Sequence, residues 1–186
     1  MSPVVELSQE AFDKPAFGPT FLPDGSYLAD AEDVYITYGK EANDGEVQAA
    51  WLNVQLGNFA TLEGEDTVTT ANGAIDLTQQ SRRFDMLIRL KNGTMPEWAL
   101  QDVRGDDVRA GKLVRLAVAL GAAGADEGRY EFPEDPEDLA ATLQEFVGTR
   151  VRCFAKAKVR ERNGVVQKKD DGTPIRDVHI TSVDKA

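Results

Sequence analysis

The sequence predicts a mostly-β domain with a helical insertion, on the strength of three observations. Several segments alternate residue by residue between apolar and polar side chains, which is typical of strands with one buried face. Two segments of helical periodicity lie together and separate three strand-like segments from two later ones. With 186 residues, 41% of them apolar, the chain is long enough for one domain with a substantial core.

The N-terminal part favours an irregular arm followed by the first strand. Four prolines fall within the first 23 residues, and no period is sustained there. We expect residues 1–21 to form the arm, with Phe12, Phe17 and Phe21 packed on the body, and residues 22–186 to form the domain. A turn at Pro23-Asp24-Gly25 then begins a strand over 26–38.

The next segments predict two more strands. Residues 47–57 alternate so that Trp51 points away from the apolar face, beside Asn53 and Gln55. A short hairpin is predicted around Asn72-Gly73. Residues 82–90 then form a third strand, with Arg83 and Arg89 opposite its apolar face. The predicted core faces of the three strands are Val34, Ile36 and Tyr38; Ala50, Leu52, Val54 and Leu56; and Phe84, Met86, Ile88 and Leu90.

A helical insert is predicted at about 105–148. Asp106 or Asp107 is the expected cap of its first helix, which passes through Gly111 and ends at Gly121. Asp135 caps the second helix, with Pro136 in its first turn. The predicted buried stripes are Leu113, Leu116, Ala117 and Leu120 in the first helix, and Leu139, Leu143, Phe146 and Val147 in the second.

The stretch that follows carries the strongest functional signal. Over 151–160, one face is apolar (Val151, Cys153, Ala155, Ala157, Val159) and the other is basic with one ring (Arg152, Phe154, Lys156, Lys158, Arg160). A turn at Arg162-Asn163-Gly164 follows, then Lys168 and Lys169, and a last strand over 175–183. The order of three strands, helices and two strands matches a five-stranded OB-fold barrel with helices between strands 3 and 4.

The charge distribution supports a localised basic surface. The net charge is −11, with −12 in residues 1–80 and +5 in residues 150–186. Eight of the 21 lysines and arginines lie between Arg150 and Lys169, with Glu161 as the one acid among them. A basic stripe on an acidic body can bind phosphate while the body repels other contacts.

These features predict a surface for single-stranded DNA. Cations hold phosphates and exposed rings stack on bases, with little sequence preference. In an OB barrel, strands 2 and 3 and the loop between strands 4 and 5 build the ligand surface. The predicted DNA-binding residues are therefore Arg152, Phe154, Lys156, Lys158, Arg160, Lys168, Lys169, Trp51, Arg83 and Arg89.

The sequence predicts neither enzymatic activity nor a cofactor. His179 is the one histidine and Cys153 the one cysteine, too few for a metal site built from these residues. A small buried thiol is the favoured interpretation of Cys153, and a surface or structural side chain that of His179. Phosphate-cradling glycine motifs do not occur in the sequence. Asp106-Asp107 and Asp170-Asp171 are interpreted as a helix cap and a turn.

The chain resembles the single-stranded-DNA-binding proteins of bacteriophages. The resemblance rests on LPDGSYLADAEDVYI at 22–36, AWLNVQL at 50–56, KLVRLAVALGA at 112–122 and DLAATLQEFVGTRVRCFAKAKVRE at 138–161. It implies an OB fold that coats single-stranded DNA during phage DNA replication or recombination, in the host cytoplasm. Many such proteins recruit partners through an acidic tail, whereas this chain ends in Val183-Asp184-Lys185-Ala186.

A second function remains open from the sequence. OB barrels also dock proteins, so the chain could be a non-enzymatic adaptor or assembly protein that uses its acidic face. The expected partners are thus single-stranded DNA, replication or recombination proteins on the acidic segments, and a second copy of the chain. No membrane partner is expected, because no apolar run approaches spanning length.

Overall fold

The structure is a computed structural model that describes residues 22–39, 46–71, 73–122 and 131–186. Strands predominate in it, as predicted. The predicted arm with Phe12, Phe17 and Phe21 lies outside the described residues. So do residues 40–45 of the first loop, Asn72 of the predicted hairpin and residues 123–130 of the linker between the helices.

The described residues contain strands of very different length and two α-helices. Five strands have eight residues or more, and the others form short hairpins. In chain order the elements are β1 (Gly25–Tyr38), β2 (Ala49–Ala60), β3 (Thr67–Thr70), β4 (Gly73–Asp76), β5 (Arg82–Arg89), a 3-10 turn (Glu97–Leu100), β6 (Gln101–Arg104), β7 (Asp107–Ala110), α1 (Lys112–Leu120), α2 (Pro136–Gln144), β8 (Arg150–Val159), β9 (Glu161–Arg162), β10 (Val165–Val166) and β11 (Arg176–Lys185).

The five long strands form one antiparallel sheet in the order β11-β8-β1-β2-β5. β1 is shared between neighbours: Gly25 to Asp30 pair with β8, and Leu28 to Tyr38 pair with β2. Register shifts between Leu28 and Asp33 accompany this change of partner. The edge strands β5 and β11 approach within 8 Å between Cα atoms, yet no ladder joins them among the described residues. The sheet is therefore strongly curved but open.

The core lies on the concave face of this sheet. The four predicted core residues from Phe84 to Leu90 are buried, three of them in β5 and Leu90 directly after it, and so are Val151, Cys153 and Ala155 of β8. Both helices cover the sheet with apolar stripes that include Leu116, Leu120, Leu139 and Leu143. Tyr38 was predicted to share the buried face with Val34 and Ile36 but is exposed at the end of β1.

Two predicted helix ends are confirmed, namely the start of α2 and the end of α1. Asp135 caps α2 by accepting hydrogen bonds from the backbone of Glu137 and Asp138, and Gly121 ends α1 in the left-handed region with φ 81°. Val147, predicted to be buried, is exposed, because α2 ends at Gln144.

The predicted start of the first helix was wrong. Gly111, rather than Asp106 or Asp107, occupies the cap position of α1, and the chain before it forms the β6–β7 hairpin with Gly105 at φ 62°. Gly111 donates a 2.8 Å hydrogen bond to the carbonyl oxygen of Leu100. That contact fixes the hairpin against the start of the helix.

Among the described residues, no helix has both the length and the apolarity that crossing a bilayer requires.

Candidate nucleic-acid interface

The basic face of β8 is exposed to solvent. Val151, Cys153 and Ala155 point into the core, so the alternate residues point outward. Arg152, Lys156 and Lys158 are exposed, and Phe154 between them is 38% exposed. We call these four outward residues the basic ladder. Val159 was predicted to lie on the apolar face but is exposed, because β1 pairs with β8 only as far as Ala155.

The cations of the basic ladder have no ion-pair partner among the residues that the structure describes. Arg152 lies opposite Asp184 in the register of β8 and β11, without an ion pair to it. Arg160 differs, since it makes two hydrogen bonds of 2.6 and 2.7 Å to the carboxylate of Asp177. These bonds raise the pKa of Arg160 and lower that of Asp177. Within the described part of the chain, Arg160 thus has an anionic partner and the ladder cations have none.

Lys168 and Lys169 are exposed on the segment that joins β8 to β11. The predicted turn is present, with Asn163 at φ 52° and Gly164 at φ 76° between β9 and β10. Asp171 accepts hydrogen bonds from Thr173, which confirms its interpretation as a turn residue. The connection between β8 and β11 begins beyond Ala155, the last residue of β8 that pairs with β1. Lys168 and Lys169 therefore lie past the end of the basic ladder that carries Lys158.

Trp51 forms the centre of a second outward-facing group. The residue is 38% exposed, and it lies opposite exposed Leu87 on β5 and Thr37 on β1. Asn53, buried beside it, donates to the Trp51 carbonyl oxygen at 2.9 Å and to Oγ1 of Thr37 at 3.0 Å. These bonds fix the backbone that carries the indole.

The two predicted arginines of β5 flank this group. Arg89 lies opposite Ala49, and Arg83 lies opposite Gln55. Arg83 makes a 3.0 Å ion pair with Asp85. Hydrogen bonds to Asp85 and Tyr35 raise the pKa of Arg83. Of the two, Arg89 is therefore the more available cation.

The structure does not bring Trp51 and Phe154 side by side across β1. Phe154 lies opposite Ser26, and Trp51 lies opposite Thr37, eleven positions further along β1. At about 3.3 Å per residue, eleven positions of a regular strand span about 36 Å, so the two rings lie near opposite ends of β1. The predicted site is thus two outward groups and not one patch.

Cys153 is buried and His179 is exposed, as expected for a small buried thiol and a surface side chain. Burial raises the pKa of the Cys153 thiol from 9.0 to about 12, which leaves it protonated at neutral pH. His179 is exposed on β11 opposite Lys156.

Sequence patterns did not single out a third cationic group around the β6–β7 hairpin and the start of α1. It comprises Arg104, Arg109, Lys112 and Arg115, with the indole of Trp98 nearby and 54% exposed. The acids of residues 81–149 outnumber the cations there, so regional charge counts conceal the cluster. The alternation of Gln101 to Ala110 is too short to predict a hairpin with a defined face.

In the comparisons with known proteins, no protein-family model matches the chain. No curated protein proved significantly similar to it either.

Proposed function

We propose that this protein binds single-stranded DNA with little sequence preference and acts without catalysis. The observation that carries the proposal is the basic ladder, in which cations that make no ion pair among the described residues flank a partly exposed phenyl ring on one strand. Phosphates need the cations and unstacked bases need the ring. Coating of this kind would protect DNA during phage replication or recombination.

We also propose that the curved sheet is an OB-type barrel. Four antiparallel pairings in the order β11-β8-β1-β2-β5 make the two edge strands run in the same direction. A barrel of this type has five strands, its first strand paired with the second and the fourth, and a helix before the fourth. The sharing of β1 between β2 and β8, and the position of α1 and α2 before β8, support that assignment.

The basic ladder suits a single strand better than a duplex. One ring stacked on one base contributes about 1–3 kcal/mol, and a base can reach the ring only when it is unpaired. The chain's net charge of −11 would oppose the long contacts with a duplex that a basic protein makes. Binding should therefore be selective for single strands and steeply dependent on salt.

Titration of labelled oligothymidine and of a matched duplex, followed by fluorescence anisotropy at two ionic strengths, tests the proposal. We expect binding of the single strand at low salt, a large loss of affinity at high salt and weaker binding of the duplex. Absence of binding at low salt would contradict the proposal. So would an affinity that does not change with salt.

The adaptor alternative makes a different prediction for the same samples. A protein that docks only other proteins should leave the anisotropy of the oligothymidine unchanged. The acidic residues 1–80 would then provide the docking surface. A sizing column run beside the titration also detects self-association.

A further inference from the structure

The surface between the edge strands β5 and β11 provides a second route from Phe154 to Trp51, in addition to the route along β1. β5 and β11 approach within 8 Å without pairing. We call this gap, with the clefts along it, the seam. Phe154 lies one strand away from Ser182 of β11, and Trp51 lies one strand away from Leu87 of β5. Each of these steps between neighbouring strands is about 4.8 Å, and the gap between β5 and β11 lies between them.

Two clefts follow the seam. The first has a volume of about 380 Å³ and is lined by Leu87, Arg89 and Trp98. The second has a volume of about 400 Å³ and is lined by Arg109, Arg115, Ser182 and Asp184, among others. Both clefts are also lined by Asp102, Arg104 and Lys112. The shared residues make the clefts neighbours, and they extend from the Phe154 side of the seam to the Trp51 side.

The charges along the clefts favour an anion. Five cations line them (Arg89, Arg104, Arg109, Lys112 and Arg115), against the two acids Asp102 and Asp184. Arg104 pairs with Asp102 at 3.5 Å and Arg109 with Asp107 at 2.6 Å, and all four side chains are exposed. Exposed pairs contribute little to stability, so these arginines can exchange a carboxylate for a phosphate. Arg89 and Lys112 have no ion pair among the described residues.

We propose that a bound single strand runs from the basic ladder across Ser182, through the seam clefts, and on to Trp98 and Trp51. This path rests on the proposed function and extends it to the β6–β7 hairpin. Trp98 supplies a ring between the two predicted ones, and Arg104, Arg109 and Lys112 supply phosphate contacts. The occupant is a polynucleotide rather than a protein segment, because exposed rings alternate with cations along the path.

The chain's two tryptophans allow a direct test. In a Trp51→Phe variant, Trp98 is the sole tryptophan, and its emission can be excited selectively over that of the tyrosines. We expect an oligothymidine of about 16 nucleotides to quench its emission, and one of about 4 nucleotides, which fills only the ladder, to quench it much less. In a Trp98→Phe variant, the longer oligomer should quench Trp51.

Affinity provides the second arm of the test. Replacing both Arg104 and Arg109 by Gln should weaken binding of the longer oligomer about tenfold and leave the short one nearly unchanged. Lys91→Gln is the matched control, since Lys91 lines neither cleft, and it should change neither affinity. The substituted side chains are exposed, and circular dichroism checks that each variant folds.

The outcomes separate this path from the proposed function. If labelled oligothymidine binds but Trp98 emission and the double arginine variant show no effect, the path is wrong while the ladder remains. If labelled oligothymidine does not bind at all, the proposed function fails and the path fails with it.

Discussion

Phe154 is a large aromatic residue that remains partly exposed between cations on a regular strand, which is the environment expected of a side chain that stacks on a base. Replacing it by Ala should weaken oligothymidine binding by about 1–3 kcal/mol, since one stacked base is lost. The free energy of unfolding should change little, because the ring is not in the core. Anisotropy titration and urea unfolding measure the two effects.

Two further substitutions at this position isolate the role of the ring. Phe154→Trp keeps an aromatic face and should retain affinity. Phe154→Leu keeps apolar bulk without the face and should resemble Ala. Equal affinities for all three variants would show that Phe154 is not a stacking residue.

Cys153, one residue earlier, illustrates the opposite face of the same strand. Burial raises its pKa from 9.0 to about 12, so the folded protein presents a protonated thiol. A thiol reagent at pH 8 should therefore label Cys153 only when the protein unfolds, and the labelling rate should rise with urea through the unfolding transition. Prompt labelling of the folded protein would contradict the burial of this side chain. Protein unfolded in urea is the positive control.

At the scale of elements, the Asp30–Arg150 ion pair joins β1, β8 and the end of β2. Arg150 donates to Asp30 at 2.9 Å and to the Asn58 carbonyl oxygen at 2.8 Å. Burial tends to raise the pKa of Asp30, but the hydrogen bonds from Arg150 and Asn58 outweigh it and lower that pKa. The pair thus connects the strands where β1 changes its partner.

Asp30→Asn should lower the free energy of unfolding by about 1 kcal/mol at neutral pH, because a partly exposed charged hydrogen bond is weakened. The pKa of Asp30 is lower in the folded protein than its unfolded value of about 3.9, so the ionised carboxylate stabilises the folded state at pH values above about 3.9. This contribution is lost as the pH falls through the pKa of the folded state. The difference between wild type and variant should therefore shrink in acid. Urea unfolding at several pH values measures it, and Asp33→Asn on the same strand is the control. A difference that persists in acid would contradict the ionic contribution.

The contact between the hairpin and α1 depends on Gly111. A Cβ at this position would lie 2.8 Å from the Leu100 carbonyl oxygen, which is backbone and cannot rotate away. Gly111→Ala should therefore destabilise the protein by about 1–3 kcal/mol through overpacking. Urea unfolding measures the loss. Gly25→Ala is the control, because a Cβ there would meet Tyr27 at 3.7 Å, an ordinary contact. An equal and small effect of both substitutions would contradict this account.

At the scale of the whole molecule, the net charge of −11 and the local basic surfaces act in opposite directions on DNA binding. The salt dependence of affinity reports how many cations contact phosphates, with a slope of about 0.7 in log units per contact for single strands. Replacing Lys156 and Lys158 together by Gln should reduce that slope by about 1.4. Lys91→Gln should leave it unchanged. An unaltered slope in the double variant would exclude the ladder lysines as phosphate contacts.

Much of the fold was predictable because apolar and polar residues alternate along its long strands. The alternating burial in β5, and in β8 as far as Ala155, follows from alternation in the sequence, and the caps at Asp135 and Gly121 follow from local backbone chemistry. The β6–β7 hairpin was not predictable, since it is short and almost wholly exposed. Its place is set by Gly111 meeting Leu100, a contact that no local pattern reveals.

From Val151 to Lys158, the sequence by itself determined which residues of β8 face solvent, because side chains on a strand must alternate between its faces. It also determined that cations and a ring share that exposed face. Only the tertiary structure decided which exposed groups are neighbours. The register of the strands places Trp51 and Phe154 eleven positions apart along β1, and the curvature of the sheet brings β5 near β11, because edge strands meet only when a sheet bends around its core.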